Sequence, residues 1–434
     1  MEKGLEPEPV VVIAYYWPPA GGPGVQRWLG FTRYFAENGL KPIVIVPENP
    51  FYPQLDASLS DITIEELEVV RVPIIEPLRW AGRLGFSNTR EYAKGLLPDR
   101  PKGFLQKLLF TIRGSLFVPD SRIFWVKAVT RVVRKLMDER SVGVLITTGP
   151  PHSVHLSGLK LASQRRDLKW IADFRDPWTD IGYHRLLPMS GFAKRRHQQL
   201  EARVIQKASL VLTTTQHLTN HYKNKYRVAS ESITNGFSEW NVAVDEATEE
   251  FILLHIGSLF AHRNPEKLWR ALQTISKSET LVSTKMKLWF LGEVDDTVKK
   301  SLCVHDLEDQ CSFFGYVAKD KLHEFTSKAS LLLLVEGDSD AYDTVIPGKL
   351  YEYLSIQAPL MIIGPENWEV TEMVKDYPMV LSLSHHEEAP IIPFLESCRS
   401  AFDQEQKPPR LKRNVAQYQH KELTKSLAKH IHGL

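Results

Sequence analysis

Two short apolar runs, and the segment between them, constrain the fold of this chain more than any other part of its sequence. Leu331–Val335 and Leu360–Ile363 are each continuously apolar, which is typical of parallel strands that are covered on both faces. The segment Thr344–Leu354 between them has the sequence Thr-Val-Ile-Pro-Gly-Lys-Leu-Tyr-Glu-Tyr-Leu. It predicts a short helix with Pro347 near its first turn, where a missing N–H group costs nothing. The sequence therefore predicts a strand–loop–helix–strand unit.

The helix of this unit is a candidate anion site. A helix N-terminus at the carboxyl end of a parallel strand presents free N–H groups and the positive end of the helix dipole. Lys349 adds a cation there, and Glu352 adds a carboxylate one turn deeper. Phosphate suits the cation and the N-terminus, whereas sugar hydroxyls suit the carboxylate, so the pattern indicates a nucleotide. The alternative is an ordinary surface pair between Glu352 and Lys349.

Strand and helix patterns alternate along almost the whole chain, which indicates α/β layers built on doubly wound parallel sheets. A length of 434 residues exceeds what one core usually supports, so two domains are expected. The polar, acidic segment Asn241–Glu250 predicts the linker, with one domain at 1–242, a second at 243–413 and a terminal helical segment at 414–434. The other predicted elements are strands at Val10–Ala14, Pro42–Val46, Val144–Ile146, Trp170–Ala172, Leu210–Thr213, Phe251–Ile256, Lys287–Leu291 and Ser312–Phe314, and helices at Val25–Glu37, after Asn264-Pro265 and at Asn414–Leu434.

Composition excludes several classes of function. A net charge of +2 gives no electrostatic case for nucleic-acid binding. The three cysteines fit neither a disulfide framework nor a metal knuckle and suit a reducing compartment. No apolar stretch of signal length follows the N-terminus, and no apolar run approaches the ~20 residues that cross a bilayer. We therefore expect a cytoplasmic protein.

Seven motifs, in order along the chain, resemble those of the family-four glycosyltransferases. The resemblance implies the B-type fold, in which two Rossmann-like domains face a cleft and a C-terminal helix crosses back to the N-terminal, acceptor-binding domain. It also implies transfer of a sugar from a nucleotide sugar to an acceptor hydroxyl, with retention, without a cofactor or metal, in polysaccharide or glycolipid synthesis for the cell envelope. The motifs are Tyr15–Arg27, Pro150–His155, Ala172–Trp178, Asn235-Gly236-Phe237, His255–Leu259 with Arg263, Gly315-Tyr316-Val317 and Pro347–Tyr353.

The resemblance further implies a donor site in the second domain. There Glu352 accepts hydrogen bonds from the ribose, Arg263 and Lys267 neutralise the diphosphate with Lys349, and the loop at Tyr316 and Val317 covers the nucleobase. For Lys267 the alternative is a solvated helix face, and for the Tyr316 loop it is packing. The implied donor-binding residues are Gly22, Gly24, Lys267, Tyr316, Val317, Thr344, Pro347, Gly348 and Glu352, and the implied catalytic residues are His152, Arg263 and Lys349.

The chain departs from the family pattern at Thr344. The family has a glutamate at that position, eight residues before Glu352, and this glutamate touches the donor sugar. Glu336 and Asp343 are nearby acids that can substitute for it, and the Thr344 hydroxyl can itself donate to phosphate or sugar. The departure keeps two alternatives open, which are an enzyme resembling nucleotide-sugar epimerases and a catalytically silent nucleotide-binding protein of the same fold.

In the first domain, the loop Gly21–Gly24 lies between a strand and a helix and allows close approach of the backbone to a ligand. A dinucleotide fingerprint is the rival interpretation, but Arg27 stands where its third glycine belongs. The resemblance places a histidine near the donor sugar, for which His152 is the candidate; a capping or buried histidine is the alternative.

Acceptor binding is predicted at a cluster of acids and bases that follows a strand. Asp173, Arg175 and Asp176 can orient acceptor hydroxyls, or Asp176 can start a turn with Arg175 in an ion pair. No metal-ligand spacing accompanies His152 and His155. The pair Asp338 and Asp340 is interpreted as solvated loop.

Two further segments bear on the acceptor. Phe104–Phe117 is apolar and basic, and Lys194-Arg195-Arg196 is a run of cations. A buried helix and a solvated charge run are the favoured interpretations. Peripheral membrane association, to reach a lipid-linked rather than a soluble glycan acceptor, is the alternative. The predicted partners are thus a nucleotide-sugar donor and a glycan or lipid-linked acceptor, without nucleic acid.

Overall fold

The computed structural model describes residues 6–52, 55–59, 62, 64–76, 115, 117–179, 189–238, 249–277, 285–339, 345–405 and 407–434. The chain divides into two compact units, the first made of Met1–Gly236 with His420–Leu434 and the second of Phe237–Gln419. The sequence places these divisions after residues 242 and 413 instead.

The first unit is built on a seven-stranded parallel sheet in the order β3-β2-β1-β4-β5-β6-β7. Val11 and Ile13 of β1 face one apolar core, while Val10 and Val12 face the other, which is why the strand is apolar throughout. The order reverses between β1 and β4, so their carboxyl ends form the usual ligand position of a doubly wound sheet. The strands are β1 Glu8–Ala14, β2 Leu40–Glu48, β3 Glu68–Pro73, β4 Val144–Gly149, β5 Lys169–Phe174, β6 Leu210–Thr213 and β7 Ser230–Ser232, and the helices are α1 Pro23–Arg33, α2 Trp125–Arg140, α3 Ser153–Gln164, α4 Gly191–Lys207 and α5 Gln216–Tyr226.

The second unit repeats this plan with a six-stranded parallel sheet in the order β10-β9-β8-β11-β12-β13. Its central strand β11 alternates between two cores, with Leu331, Leu333 and Val335 on one face and Leu332 and Leu334 on the other. The strands are β8 Glu250–Ile256, β9 Lys285–Leu291, β10 Cys311–Gly315, β11 Leu331–Val335, β12 Leu360–Gly364 and β13 Val380–Ser384, and the helices are α6 Glu266–Ser276, α7 Asp296–Val304, α8 Leu322–Thr326, α9 Gly348–Ile356, α10 Glu369–Val374 and α11 Ile391–Glu405.

The last helix, α12 (His420–His432), belongs to the first unit. Its residues Leu423, Leu427 and Ile431 join the core on the α1 side of the sheet. Gly30 of α1 allows this approach, because a Cβ on it would lie 2.4 Å from the His420 ring. At the crossing point, Phe237 N–H donates to the Tyr418 carbonyl at 3.1 Å, and Phe237 pairs with Gln419.

The fold prediction, with two Rossmann-like domains and a returning C-terminal helix, is confirmed. The predicted start of the last helix at residue 414 is wrong, since α12 begins at His420. Residues 414–419 instead hold the separate 3₁₀ turn Ala416–Tyr418. Upstream of that turn, Arg410 donates to the carbonyls of Thr326, Ser327 and Ala329. The predicted helix Val25–Glu37 also differs, because α1 ends at Arg33 and Ala36–Asn38 forms a separate 3₁₀ turn.

Three strands, β3, β7 and β13, were not predicted from the sequence. Each lies at an edge of its sheet and is partly exposed, so none is continuously apolar. Within the described residues, no helix is both long and apolar enough to cross a membrane.

Candidate functional site

The N-terminus of α9 lies at the carboxyl end of the sheet in the second unit. Pro347 occupies the N-cap position, and no side chain caps the first N–H groups of the helix. Lys349, in the first turn, donates from Nζ to the carbonyl of Ile256, the last residue of β8, at 3.3 Å. Gly257 follows with a φ of +106°, and a Cβ there would lie 3.3 Å from the Lys349 ammonium. The glycine thus combines a left-handed backbone with a close approach to the cation.

The ammonium of Lys349 sits in an environment that disfavours its charge. Burial, reinforced by the nearby Arg263 guanidinium and opposed by Glu336, lowers the pKa of Lys349 to about 8. Two cations therefore lie close together beside an uncapped helix N-terminus, and the charge of the Glu336 carboxylate acts on both. An anion bound here would relieve their mutual repulsion.

Arg263 lies in the 3₁₀ turn Ala261–Arg263 that follows β8. Its Nη2 contacts Glu336 Oε1 at 2.6 Å, and Oε1 also accepts from the Gly337 N–H at 3.0 Å. Glu336 directly follows β11 and is 4% exposed. The sequence named Glu336 only as a possible substitute for the missing glutamate, because its ion pair joins residues far apart along the chain.

Glu352 does not pair with Lys349, contrary to the surface-pair alternative. It accepts from Lys319 Nζ at 3.0 Å, and its side chain is 23% exposed. Lys319 belongs to the 3₁₀ turn Lys319–Lys321, shortly after β10. Glu352 thus lies one turn inside α9 and faces the segment that follows β10.

The other predicted donor-site residues differ in their surroundings. Tyr316 is 56% exposed after β10, whereas Val317 packs against the core. Lys267 donates to Glu388 at 3.1 Å, on the partly exposed surface of α6, as in the solvated-face alternative. Gly348 is the first residue of α9. Thr344 lies outside the described residues.

In the first unit, α1 begins after Gly22, which has a φ of +100°, and no side chain caps it. Gly24 packs against a guanidinium, because a Cβ on it would lie 2.2 Å from Arg175 Nη1. Arg175 also donates from Nη2 to the Pro150 carbonyl at 2.5 Å. Arg175 therefore joins the loops that follow β1, β4 and β5.

Asp173 is fully buried and occupied by donors from this chain. Arg27 pairs with it at 2.9 Å, and Trp28 Nε1 and Thr148 Oγ1 donate to its Oδ2 at 2.7 and 2.8 Å. Burial acts to raise the pKa of Asp173, but the Arg27 charge and these hydrogen bonds outweigh it and lower the pKa. Arg27 also donates to the Ile233 carbonyl at 2.8 Å. The geometry gives Asp173 the task of fixing α1 on the sheet.

Arg27 is the residue whose importance the sequence analysis missed. From the sequence, Arg27 served only to argue against a dinucleotide fingerprint. In the structure its side chain is 1% exposed and links α1 to β5 and to the segment after β7. An arginine between apolar residues on the buried side of a helix was the signal that could have identified it.

The other two members of the predicted acceptor cluster are less exposed than a surface turn would be. Burial raises the pKa of Asp176, with Arg175 opposing and Asp173 adding to the shift. Burial likewise lowers the pKa of Arg175, against the attraction of Asp176. Burial thus disfavours the charged form of each side chain, and the attraction between the two charges opposes that effect.

His152 and His155 lie in an aromatic stack beneath the end of β4. The His152 ring is parallel to Trp178 at 5.0 Å, and the His155 ring stacks on Phe174 at 4.5 Å. His155 Nδ1 bonds to Thr147 Oγ1 at 2.9 Å, and burial lowers the pKa of His155 to about 3. His152 is 3% exposed, at the N-cap position of α3. Both rings thus match the buried-histidine alternative, and among described residues no group of three or more metal-ligating side chains occurs.

Comparison with known proteins gives a structural likeness without a sequence family. No family model matches the chain, and no curated protein matches it. Sucrose-phosphate synthase from Thermosynechococcus elongatus has a TM-score of 0.56 at 12% identity, over 98% of this chain and 94% of that chain. The lipopolysaccharide outer core galactosyltransferase WaaB has a TM-score of 0.55 at 10% identity, over 98% and 99%.

A UDP-GlcNAc 2-epimerase from Methanocaldococcus jannaschii has a TM-score of 0.50 at 11% identity, over 98% of this chain and 100% of that chain. The likeness therefore extends to a protein that is not a transferase. At such low identities, what these structures show is the fold: the chain has the B-type fold of two Rossmann-like domains, as the resemblance implied.

Proposed function

We propose that this protein transfers a sugar from a nucleoside-diphosphate sugar to an acceptor hydroxyl, with retention of configuration. The observation that carries the proposal is the juxtaposition of Arg263, Lys349 and the uncapped N-terminus of α9 at the carboxyl end of the second sheet. Positive charge at a fixed place is what a leaving diphosphate needs, since its negative charge grows as the glycosidic bond breaks.

The nucleotide would lie along α9. Its diphosphate faces Arg263 and Lys349, and Glu352 accepts the ribose hydroxyls, exchanging its bond to Lys319 for them. The exposed Tyr316 loop lies beside the base. Because two side chains and a helix N-terminus supply the positive charge, we propose that the chemistry requires no resident metal or cofactor. As part of this proposal, the Thr344 hydroxyl would donate a hydrogen bond to the phosphate or the sugar of the donor.

We propose that the first unit binds the acceptor through the loops after β1, β4 and β5. Arg175 and Asp176 would contact the acceptor, whereas Asp173 would act as a positioning residue for the Gly22–Gly24 loop. His152 would contribute through a shift of its stacked ring toward the loop at Gly149. The acceptor would be a glycan or glycolipid of the cell envelope; the name of the galactosyltransferase WaaB refers to the outer core of lipopolysaccharide.

A lipid-linked acceptor would bring the protein to a membrane surface, and α4 offers a face suited to it. Phe192 is 73% exposed, and Lys194, Arg195 and Arg196 next to it are exposed cations. An aromatic residue among cations favours binding to anionic lipid. Cosedimentation with vesicles of phosphatidylglycerol should fall when Phe192 is replaced by serine, and unchanged binding would remove this part of the proposal. The segment Phe104–Phe117 lies outside the described residues except Ser115 and Phe117.

The decisive experiment is thermal melting with UDP, GDP, ADP, CMP and NAD, followed by an assay of donor consumption. A ligand at 100 times its dissociation constant stabilises the folded state by about 2.7 kcal/mol. Stabilisation by one nucleoside diphosphate, and release of that diphosphate from its sugar conjugate, is the expected result. Stabilisation by NAD alone would replace the proposal with a dehydrogenase.

An epimerase is the second candidate, and the likeness to the UDP-GlcNAc 2-epimerase favours it. It would invert one carbon of the sugar without an acceptor and leave the sugar in place. Analysis of the nucleotide sugar after incubation without an acceptor separates the two, since only an epimerase changes its configuration there. A protein that binds the donor and never consumes it would be catalytically silent.

A further inference from the structure

The exposed large apolar side chains of the second unit are concentrated along one edge of its sheet. Within the described part of that unit they all lie on β10, directly after it, or at the end of α7. They are Val304, Phe313, Phe314 and Tyr316, which are 75%, 44%, 41% and 56% exposed. β10 is an edge strand, and among the described residues it pairs only with β9. A protein that stays monomeric usually keeps such an edge short, charged or covered.

The aromatic rings of β10 are held in place by their neighbours. Phe313 stacks on Phe290 with 5.2 Å between the ring centroids, and Lys299 Nζ lies 5.7 Å from the Phe313 centroid. Phe314 packs edge-on against Trp289 at 5.5 Å, on the opposite face of the sheet. The pairing of β10 with β9 is irregular after Phe313, so this edge offers fixed rings more than a regular backbone ladder. A ring that is already fixed loses little freedom when another surface covers it.

Charges of opposite sign flank this row of rings. The 3₁₀ turn before β10 carries two exposed carboxylates, Glu308 and Asp309. The 3₁₀ turn after it carries Lys319, which is held by Glu352, and the exposed Lys321, with one aspartate between them. Asp309 and Lys321 have no ion pair within the described residues. The edge is thus acidic at one end, apolar in the middle and basic at the other end.

An edge with this order of charges is complementary to a second copy of itself. When two copies run antiparallel about a twofold axis at Phe313, the acidic flank of each lies beside the basic flank of the other. In that register, Glu308 of one copy lies opposite Ala318 of the other, one residue before Lys319. A parallel arrangement would instead bring flanks of like charge together, which is unfavourable.

We propose that the β10 edge is a homodimer interface, in which two copies of this chain associate antiparallel through Phe313, Phe314 and Tyr316. Six aromatic side chains, each about half exposed, would bury roughly 450–750 Å² between the two copies. A specific interface buries about 1,200 Å² or more, so the charged flanks must close as well. The dimer is therefore weak and sensitive to salt, because part of its interface consists of exposed ion pairs. The inference does not depend on the proposed function.

Sedimentation velocity of the full chain, from about 1 μM to about 1 mM, measures the association. A reductant is present so that the exposed Cys303 cannot join two chains. We expect the average mass to rise toward twice that of the chain, and Phe313→Ser to raise the dissociation constant at least about tenfold. Phe192→Ser is the matched control, because Phe192 is 73% exposed and belongs to the first unit. A monomer throughout this range, or equal weakening by the two variants, would overturn the proposal.

An exchange of charges tests the antiparallel arrangement without disturbing the packed rings. Asp309→Lys and Lys321→Asp each make the two flanks alike in charge, so each should weaken the dimer by about tenfold. The variant with both changes has opposite charges on its flanks again, and its dissociation constant should return to within about threefold of the wild type. Single variants that dimerise like the wild type, or a double variant as weak as the two losses combined, would contradict the arrangement.

Hydrogen exchange of the unmodified chain locates the interface. The backbone amides of residues 312–316 should exchange more slowly at high than at low protein concentration, because the second copy covers them. The strand β13 at the opposite edge of the same sheet is the internal control, and its amides should exchange equally fast at both concentrations. A dimer that leaves residues 312–316 unprotected uses another surface, and the proposal is then wrong.

Discussion

The two units carry the same sheet plan, but they treat buried charge in opposite ways. In the first unit, Asp173 pairs with Arg27 and accepts hydrogen bonds from Trp28 and Thr148, so its negative charge is compensated within the protein. In the second, the one hydrogen-bond acceptor of Lys349 among the described residues is the Ile256 carbonyl at 3.3 Å, and Arg263 contacts one oxygen of Glu336. A satisfied network fixes a backbone, whereas an incompletely satisfied one attracts a ligand. The contrast indicates a structural role for the first network and supports the proposed binding role of the second.

The largest expected effect breaks the satisfied network. Asp173→Asn leaves Arg27 buried without a counter-ion, so we expect the free energy of unfolding to fall by about 3–5 kcal/mol. Urea denaturation measures it. Glu68→Gln, which breaks the exposed pair with Arg140, is the control and should cost at most about 1 kcal/mol. Similar small losses in both variants would contradict the role of Asp173 as an anchor.

The second effect probes the packing of the glycine loop. Gly24→Ala places a methyl group 2.2 Å from Arg175 Nη1, and relief of that clash should cost about 1–3 kcal/mol of stability. Gly143→Ala is the matched control, since a Cβ there meets nothing within 4 Å. Melting temperatures of the two variants compare them directly, and a Gly24 variant as stable as the Gly143 variant would show that Arg175 moves away freely.

The third effect tests the open site. Glu352→Ala should weaken binding of the selected nucleoside diphosphate by about 1–3 kcal/mol, as expected for the loss of a hydrogen bond to a charged group. Isothermal calorimetry measures this, with Glu372→Ala, which breaks the exposed pair with Lys375, as the control. Intact folding with unchanged affinity would remove Glu352 from the nucleotide site.

The smallest effect is a dependence on pH. Because the pKa of Lys349 is lowered to about 8, nucleoside diphosphate binding should weaken by about tenfold per pH unit above that value. The sign for stability is opposite. The unfolded chain holds the proton up to about pH 10.4, so this group makes the unliganded protein more stable as pH rises between the two values. Lys349→Gln should abolish both trends, and their persistence would assign them to another group.

Features of the fold and of the candidate site that depend on neighbouring residues could be predicted from the sequence, whereas contacts between residues far apart along the chain could not. Leu331–Val335 and Leu210–Thr213 were predicted with their exact bounds, because a strand buried on both faces is apolar without interruption. The edge strand Ser230–Ser232 carries no such signal. The short helix α9, with Pro347 at its start, was also predicted from its own residues.

Pairings between residues that are distant along the chain could not be predicted from the sequence. Arg27 and Asp173 are 146 positions apart, and Lys319 and Glu352 are 33 apart. Only the fold brings them together, so the surface-pair alternative for Glu352 named the cation nearest in sequence, Lys349. The same limit hid the contact between Arg263 and Glu336, although each residue was named.

The route of the chain through α12 has a consequence for how this protein can be divided. Topologically, the second unit is an insertion, because the chain leaves the first unit at Gly236 and re-enters it at His420. The ends of the insertion are adjacent, with Phe237 paired to Gln419. A piece spanning 237–419 should therefore be excisable with its ends already joined in space. The first unit, by contrast, is made of two chain segments and needs residue 236 to be joined to residue 420. A truncation at residue 419 would remove Leu423, Leu427 and Ile431 from its core.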